Sequence, residues 1–229
     1  MVNYCDEIVI YDDGSTDDSV DVARQFTPLV IEGKHNDFSN ELFHKQKLLE
    51  FALSRNPDWI FWMDADEVLE KKGEEGGLRY LCHTAGNYDS FAFQEINLWR
   101  CHNYYRLDNQ YNDGVFCRLW KNNGQLKMNT VKGLHHRQAP LGLTNEGVTD
   151  LKVLHYGFAS DDSIVRKYLT YKAHGQSGWA LHRLIDERTL YVREVDYSWF
   201  KERPAKVNPN DIYKIPIAAK IPAHQQETL

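Results

Sequence analysis

The sequence predicts an α/β fold, an open mixed sheet flanked by helices that leads into a helical C-terminal region. Three observations predict it. Residues 6–11 form a short β-branched run, residues 40–55 have helical periodicity, and residues 59–63 form a continuous apolar run. Strands that alternate with helices in this order are typical of an α/β sheet.

The chain begins with a strand, an acidic loop and a helix. The run at 6–11 stops at Asp12-Asp13-Gly14, which is a turn signal. Residues 15–18 supply side chains that favour helix N-termini, and apolar residues from Val20 to Phe26 continue at helical spacing. A second short strand is predicted at 29–31.

The next two elements predict where a ligand binds. Asn56-Pro57 ends the amphipathic helix at 40–55, and the five apolar residues at 59–63 are typical of a parallel strand covered on both faces. Ligands of such sheets bind at the carboxyl ends of the strands. Asp12-Asp13 and Asp64-Ala65-Asp66 both lie at such ends.

The second half of the chain has a looser pattern. A glycine-rich loop at 73–77 is followed by three predicted strands, and a mainly helical region is interrupted near Gly175 and Gly178. The strands are expected at 90–96, 115–120 and 151–156, and the helical region at 162–187. The proline-containing segment from Arg203 has no clear period and is expected to be extended or partly disordered.

The expected domain organisation follows from these elements. A chain of 229 residues that is 42% hydrophobic can bury one sizeable core. We expect a main α/β domain at 1–160, a helical extension of the same domain at 161–202 and an extended, proline-containing tail at 203–229.

Composition and charge disfavour several classes of protein. The formal net charge is −6 and the basic residues are scattered, which argues against a nucleic-acid partner. No apolar run approaches the roughly 20 residues that span a bilayer, and the N-terminus lacks a signal core. The four cysteines lack metal-ligand spacing and are expected to be reduced thiols. The expected location is the cytoplasm, with a peripheral position at a membrane as the alternative.

The strongest functional signal is an acidic step after a predicted buried strand. Asp64 and Asp66 follow the run at 59–63, and Glu67 comes next. Mg²⁺ and Mn²⁺ prefer oxygen ligands and commonly combine one or two carboxylates with substrate phosphate oxygens. The step therefore predicts a site for Mn²⁺ or Mg²⁺ that recruits a nucleotide diphosphate. A plain surface turn is the alternative interpretation.

Two motifs carry the strongest resemblance to a known family. They are Ile-Val-Ile-Tyr-Asp-Asp-Gly-Ser-Thr-Asp-Asp-Ser at 8–19 and the segment 59–67. Together they resemble glycosyltransferase family 2, whose members are inverting enzymes of the GT-A fold. Looser blocks resemble a bacterial subgroup of this family; they lie at 118–121, 133–136, 155–157 and 166–168. The resemblance implies a GT-A-like enzyme that moves a sugar from a UDP- or GDP-sugar to a saccharide, lipid-linked or protein acceptor.

The resemblance also implies roles for individual residues. Asp12 and Asp13 match the acidic pair that contacts the nucleoside. Asp64 and Asp66 match the step that contacts the ribose and the metal diphosphate. Lys45 falls where the family commonly has an Arg, and it is a candidate contact of the diphosphate or nucleoside.

His155 is a candidate second metal ligand. It ends the strand predicted at 151–155, and imidazole is a good ligand for Mn²⁺ beside carboxylates. The alternative is a core histidine bonded to a backbone carbonyl.

The catalytic base is less well defined. Inverting transfer needs a group that takes the proton of the acceptor hydroxyl. Many relatives carry His-Glu where this chain has His135-His136, and the obvious carboxylate is thus missing. The remaining candidates are Glu95, Asp113, His136 and Glu146.

The N-terminus departs from the family. In the family a first strand precedes the matching segment and forms part of the nucleoside pocket, whereas here residues 5–7 already enter the next strand. The expected fold is therefore N-terminally truncated. A fragment with a mis-chosen start is favoured over a degenerate relative with impaired donor affinity.

Two other functions are weighed against transfer. A sugar nucleotidyltransferase would begin with a glycine-rich, basic phosphate loop, which this sequence lacks. The main alternative is a catalytically impaired GT-A-fold protein that binds nucleotide or carbohydrate. The intact aspartates argue against that alternative, and the missing first strand argues for it.

Overall fold

A computed structural model describes residues 4–34, 40–108, 111, 114–129 and 139–225. The chain divides into two compact units, each built from separate stretches of sequence. Unit 1 comprises Met1–Trp62, Glu74–Ala92 and Phe116–Thr149, and unit 2 comprises Met63–Gly73, Phe93–Val115 and Asp150–Leu229.

Strands and helices alternate over residues 10–61. The helices are α1 (Ser19–Arg24), α2 (Glu41–Ser54), α3 (Leu78–Thr84), α4 (Asp161–Ala173), α5 (Trp179–Ile185) and α6 (Pro209–Ile212). The strands are β1 (Ile10–Asp12), β2 (Val30–Glu32), β3 (Trp59–Phe61), β4 (Glu67–Leu69), β5 (Ser90–Asn97), β6 (Tyr104–Arg106), β7 (Val115–Lys121), β8 (Glu146–His155) and β9 (Val192–Glu194).

The strands form three sheets. β1 and β2 are a parallel pair, and β6 and β9 are an antiparallel pair. The main sheet has five strands in the order β3-β7-β5-β8-β4, in which β3 is antiparallel to β7 and β4 is antiparallel to β8. The predicted α/β class, with parallel and antiparallel strands flanked by helices, is confirmed.

The direction of β3 differs from the prediction. The run at 59–63 was interpreted as a parallel strand, but Ile60 pairs with Trp120 in an antiparallel register. A continuous apolar run reports that a strand is buried, and it carries no information about the direction of the neighbouring strand.

Unit 1 is built around α2 and β3. Leu49 and Trp120 are fully buried there, and the rings of Trp62 and Trp120 stack with centroids 5.2 Å apart. The helix predicted at 40–55 exists because Leu42, Leu49 and Ala52 recur on one face, which packs into this core.

Unit 2 has its own core around α4 and α5. Ile164 and Tyr168 of α4 are fully buried, together with Leu181 and Leu184 of α5. The predicted interruption of this helical region is confirmed. Gly175 and Gly178 lie between the two helices with φ of 79° and 59°, a conformation that glycine adopts without strain.

The segment after Arg203 is more ordered than expected. It contains α6 and two shorter helical turns, Ile217–Lys220 and Ala223–Gln225. Ile217 and Ile221 are buried in the core of unit 2. The apolar residues that hold this segment in the core are isolated in the sequence and form no periodic pattern. This explains the incorrect expectation of an extended or disordered tail.

No helix among the described residues is long and apolar enough to cross a membrane. The cysteines at 5, 82, 101 and 117 are all free thiols.

Candidate functional site

The acidic loop after β1 closes on itself through Asp12. The Oδ2 atom of Asp12 accepts hydrogen bonds from the backbone N–H groups of Gly14 and Ser15 at 3.0 and 2.8 Å. Gly14 has a φ of 78°, which the turn requires. The Asp12 carboxylate therefore shapes the loop that follows the strand.

Asp13 is paired with a histidine that the sequence reasoning missed. Asp13 Oδ1 lies 2.9 Å from His44 Nδ1, and the His44 ring stacks on Tyr11 with centroids 5.3 Å apart. Lys45, the next residue of α2, pairs with Glu41 of the same helix at 2.8 Å. Unit 1 thus brings Asp13, His44 and Tyr11 together.

In unit 2, a glutamate closes the turn that carries Asp64 and Asp66. Glu67 is buried, its side chain accepts from the backbone N–H of Asp64 at 2.8 Å, and its own N–H donates to the Asp64 carbonyl at 3.1 Å. Asp64 itself is half-buried. The sequence reasoning noted Glu67 as acidic, and the structure assigns it the role of a brace for the turn.

Strand pairing brings Asp66 to His155. Glu67 of β4 lies opposite His155 of β8, and the Tyr156 N–H donates to the Asp66 carbonyl at 2.7 Å. As a result Asp66 Oδ2 lies 3.2 Å from His155 Nε2. These two residues, which the sequence predicts as ligands of one metal ion, lie side by side.

A lysine completes this group. Lys167 of α4 places its Nζ 3.1 Å from Asp66 Oδ2 and 3.3 Å from His155 Nε2. On the other side of the ring, His155 Nδ1 lies 2.7 Å from Asn97 Oδ1, and this oxygen accepts the Nδ1 proton. We call Asp66, Asn97, His155 and Lys167 the Asp66 cluster.

The charges of the cluster keep Asp66 ionised. Burial acts to raise the pKa of Asp66, but the hydrogen bonds and charges of His155 and Lys167 outweigh it and hold the pKa well below its usual range. The Asp66 side chain remains 41% exposed, so its carboxylate is accessible to a ligand.

The Asp66–His155 pair fits a divalent cation. When two neighbouring ligand atoms each lie about 2.1 Å from such an ion, they are about 3 Å from each other. Asp66 Oδ2 and His155 Nε2 are 3.2 Å apart, which is close to this separation. Because Nδ1 donates to Asn97, Nε2 is the ring nitrogen that would ligate a cation, after it loses any proton that it shares with Asp66. No group of three or more His, Cys, Asp or Glu side chains suited to a metal occurs among the described residues, so a cation here would need further oxygen ligands from a substrate or water.

Two of the four candidate bases, Glu95 and Glu146, lie among the described residues. Glu95 is half-buried in β5 and its N–H donates to the Gly114 carbonyl at 2.9 Å. Glu146 begins β8 and contacts Cys117, whose pKa burial raises to about 12 with a further contribution from this carboxylate. Asp113 and His136 lie outside the described residues.

Sequence reasoning therefore named some members of the Asp66 cluster. Asp66 and His155 were named, whereas Asn97 and Lys167 were given no role. Lys167 does lie in one of the family-like blocks, at 166–168, which was the available signal. A lysine on a helix surface is too common for its type alone to assign it to a site.

The chain resembles two curated relatives over a short stretch. They are the SPbeta prophage-derived glycosyltransferase SunS of Bacillus subtilis (strain 168) and glycosyltransferase SunS of Bacillus phage SPbeta. Each is 37% identical over 71 residues, which cover 30% of this chain and 15% of the relative. The matched stretch is thus a small part of both relatives.

A family model covers more of the chain. The model described as Glycosyl transferase family 2 matches residues 3–136, more than half of the chain. The match includes both acidic motifs, at 12–18 and at 64–66. With this match, the chain belongs to glycosyltransferase family 2.

Proposed function

We propose that this protein transfers a sugar from a nucleotide-diphosphate donor to an acceptor, with inversion at the transferred carbon and with a divalent cation. Membership of glycosyltransferase family 2 gives the reaction class, a transfer from a nucleotide-sugar to an acceptor. The observation that carries the finer proposal is the Asp66–His155 pair, with its atoms 3.2 Å apart at the Asp64-Ala65-Asp66 step.

Each residue of the pair would have a definite task. Asp66 and His155 would hold Mn²⁺ or Mg²⁺, and the bound ion supplies positive charge that stabilises the leaving diphosphate. Asn97 keeps the His155 ring in the orientation that presents Nε2. Glu67 holds the turn so that the Asp66 carboxylate stays at this place.

The remaining roles come from the family resemblance. Asp64 would contact the ribose, Asp12 and Asp13 the nucleoside, and Lys45 the diphosphate or nucleoside. In unit 1, the His44 contact at 2.9 Å supports an oriented Asp13. Glu95, Glu146 and His136 stay candidates for the base. Four free thiols and the lack of a membrane-spanning helix in the described residues support a cytoplasmic site of action.

Nucleotide binding tests whether the protein binds a nucleotide diphosphate together with a divalent cation. We expect UDP or GDP with Mn²⁺ to raise the melting temperature of the full chain by roughly 5–10 °C at a concentration one hundred times Kd. The Asp66→Ala variant should lose this shift. Asp150→Ala is the matched control, because Asp150 is an exposed carboxylate of the same unit that pairs with Lys72 at 2.5 Å.

Turnover measurements test whether the protein catalyses transfer of the sugar. Hydrolysis or transfer of UDP- and GDP-sugars, followed by chromatography, should fall at least about 100-fold in Asp66→Ala, mainly in kcat, because the cation acts on charge that develops in the transition state. Unchanged activity would exclude the role given to Asp66. Nucleotide binding without any turnover would instead favour the alternative of a protein that binds a nucleotide and has lost catalysis.

A further inference from the structure

Lys167 contacts the same two atoms that would hold the proposed cation. Its ammonium group is 3.1 Å from Asp66 Oδ2 and 3.3 Å from His155 Nε2, so the three atoms form a nearly equilateral triangle. Any ion held at about 2.1 Å from both ligand atoms would lie within about 4 Å of Lys167 Nζ. The lysine and the ion therefore compete for the same two partners.

The charge of the cluster explains the competition. When the His155 ring is neutral, as a metal ligand must be, Asp66 and Lys167 together carry no net charge, so a divalent ion alone would leave an excess of two positive charges in a half-buried place. Like charges at such distances repel strongly where water is partly excluded. A diphosphate would bring the negative charge that both cations need.

The lysine is also held in place by an aromatic ring. Lys167 Nζ lies 4.5 Å from the centre of the Phe158 ring, and the same ring packs edge-on against His155 at 4.9 Å. An ammonium over a ring face is attracted by the electron density of that face. Because only 24% of the Lys167 side chain is exposed, this contact and the Asp66 ion pair favour the inward position.

We propose that Lys167 is a resident cation of the Asp66–His155 pair, which makes the binding of a divalent metal depend on the nucleotide diphosphate. The proposal rests on the proposed function, since that function places a metal at the pair. Metal alone binds weakly because it must displace the ammonium from Asp66 and His155. With the diphosphate present, its phosphate oxygens would accept hydrogen bonds from the displaced ammonium and would supply oxygen ligands that the cation needs, so the two ligands would bind together.

Metal binding without nucleotide tests the proposal directly. The Kd of Mn²⁺ for the full chain is measured from the electron paramagnetic resonance signal of free Mn²⁺. In Lys167→Met, which keeps a long side chain and removes the charge, Mn²⁺ should bind at least about fivefold more tightly than in the wild type, the lower end of typical coupling between ligands. An affinity in Lys167→Met equal to or weaker than that of the wild type would overturn the proposal.

Three further variants identify the cause of a gain in Mn²⁺ affinity. Lys167→Arg keeps the positive charge and should bind Mn²⁺ as weakly as the wild type. Lys172→Met removes another lysine of α4, one whose Nζ donates to the Gln225 carbonyl at 2.6 Å, and should also leave Mn²⁺ binding unchanged. Asp66→Asn in the Lys167→Met background should abolish the gain; if the gain persists there, the metal binds elsewhere and the proposal is wrong.

The same measurements separate this proposal from the proposed function. If UDP or GDP with Mn²⁺ stabilises the wild type while Lys167→Met gains no affinity for Mn²⁺, the function stands and the role of Lys167 falls. If no nucleotide stabilises the protein and Lys167→Met still gains affinity, the lysine occupies a metal site and the nucleotide-sugar proposal falls. Circular dichroism of each variant shows whether it is folded.

Discussion

At the scale of single residues, the Asp66 cluster depends on the absence of a side chain at Gly157. A Cβ atom at this position would lie 2.5 Å from Asp66 Oδ2 and from His155 Nε2, and closer still to Lys167 Nζ. All three polar groups approach the backbone here. Glycine is the one residue that permits this approach, so it is as much a part of the site as the charged residues.

Gly157→Ala should therefore disturb both stability and the cluster. We expect a loss of about 1–3 kcal/mol in the free energy of unfolding, the usual cost of an extra group in a packed place. We also expect the nucleotide- and Mn²⁺-dependent rise in melting temperature to be lost, since the methyl group separates Asp66 from His155. Urea unfolding and thermal shift measure the two effects.

Gly147→Ala is the matched control for this variant. A Cβ atom there would meet the Phe91 ring at 2.9 Å, inside unit 1 and against apolar atoms. It should lower stability by a similar amount and leave the effect of Mn²⁺ and nucleotide intact. If the two variants lose the ligand effect equally, the change at Gly157 acts through stability alone.

Residue identity alone predicted some members of the site and not others. Asp66 and His155 stood out because carboxylate and imidazole groups at strand ends suit a metal. Lys167 and Asn97 are ordinary residues in sequence, and their roles arise from contacts across 101 and 58 positions of the chain. No local pattern encodes contacts at such separations.

At the scale of elements, α4 is the helix that delivers Lys167. It begins with a capping box in which Ser160 and Ser163 exchange hydrogen bonds, with Ser163 N–H donating to Ser160 Oγ at 3.1 Å. Two acidic residues, Asp161 and Asp162, occupy the first turn, where the helix dipole favours them. The start of the helix is thus set locally.

Ser160→Ala should destabilise the protein through this cap. The free energy of unfolding is expected to fall by about 0.5–2 kcal/mol, because the N–H of Ser163 loses its acceptor. Chemical denaturation followed by circular dichroism measures it. Ser160→Thr keeps a hydroxyl and should retain most of the stability; an equal loss in both variants would show that the cap contributes little.

At this scale the sequence predicted the positions of several elements well, but it did not predict how the strands pair. The helix expected at 40–55 is α2 at Glu41–Ser54, and the strand expected at 90–96 is β5 at Ser90–Asn97. Both are set by local periodicity and by breakers such as Pro57. The direction of β3 depends on β7, which is remote in sequence, and was not predicted correctly.

At the scale of the whole molecule, Arg100 ties four separate segments of unit 2 together. Its guanidinium is almost fully buried and bonds to Asp161 at 2.6 Å, to Glu187 at 3.3 Å and to the Ile215 carbonyl at 2.8 Å. The backbone of Arg100 has a φ of 60°, an unfavourable value that these contacts maintain. This clamp anchors the segment after Arg203 to α4.

Arg100→Met should destabilise the protein strongly. Removal of the guanidinium leaves the partly buried carboxylates of Asp161 and Glu187 without this partner, which costs about 3–5 kcal/mol when the groups are buried. Urea unfolding at neutral pH measures the loss. Arg188→Met is the control, because Arg188 pairs with Asp186 at 2.8 Å with 77% of its side chain exposed, and little change is expected.

The same clamp predicts how stability depends on pH. Burial acts to raise the pKa of Asp161, but hydrogen bonds and charges from Arg100 and Lys220 outweigh it and lower the pKa below its usual value. The contribution of Asp161 to stability is therefore complete above the unfolded-state pKa of about 3.9 and is lost as pH falls through the lower, folded-state value.

Unfolding curves between about pH 6 and pH 2 should separate the variants. The free energy of unfolding of the wild type should fall as the pH is lowered through the acid range. In Arg100→Met it should fall less steeply, because the pKa of Asp161 is shifted less. The same dependence of unfolding free energy on pH in both proteins would contradict this explanation of the clamp.

The sequence by itself determined the two acidic motifs that carry the family resemblance, and the approximate places of β1, β2, β3, β5, β7 and α2. These features are local, because a run of apolar residues, a turn residue or a helix breaker acts on its near neighbours. The tertiary structure decided that Asp66 meets His155, since the β4–β8 register places Glu67 opposite His155. It also decided that Lys167 joins them, because the docking of α4 is set by packing between residues far apart in the chain, and no short-range pattern can specify it.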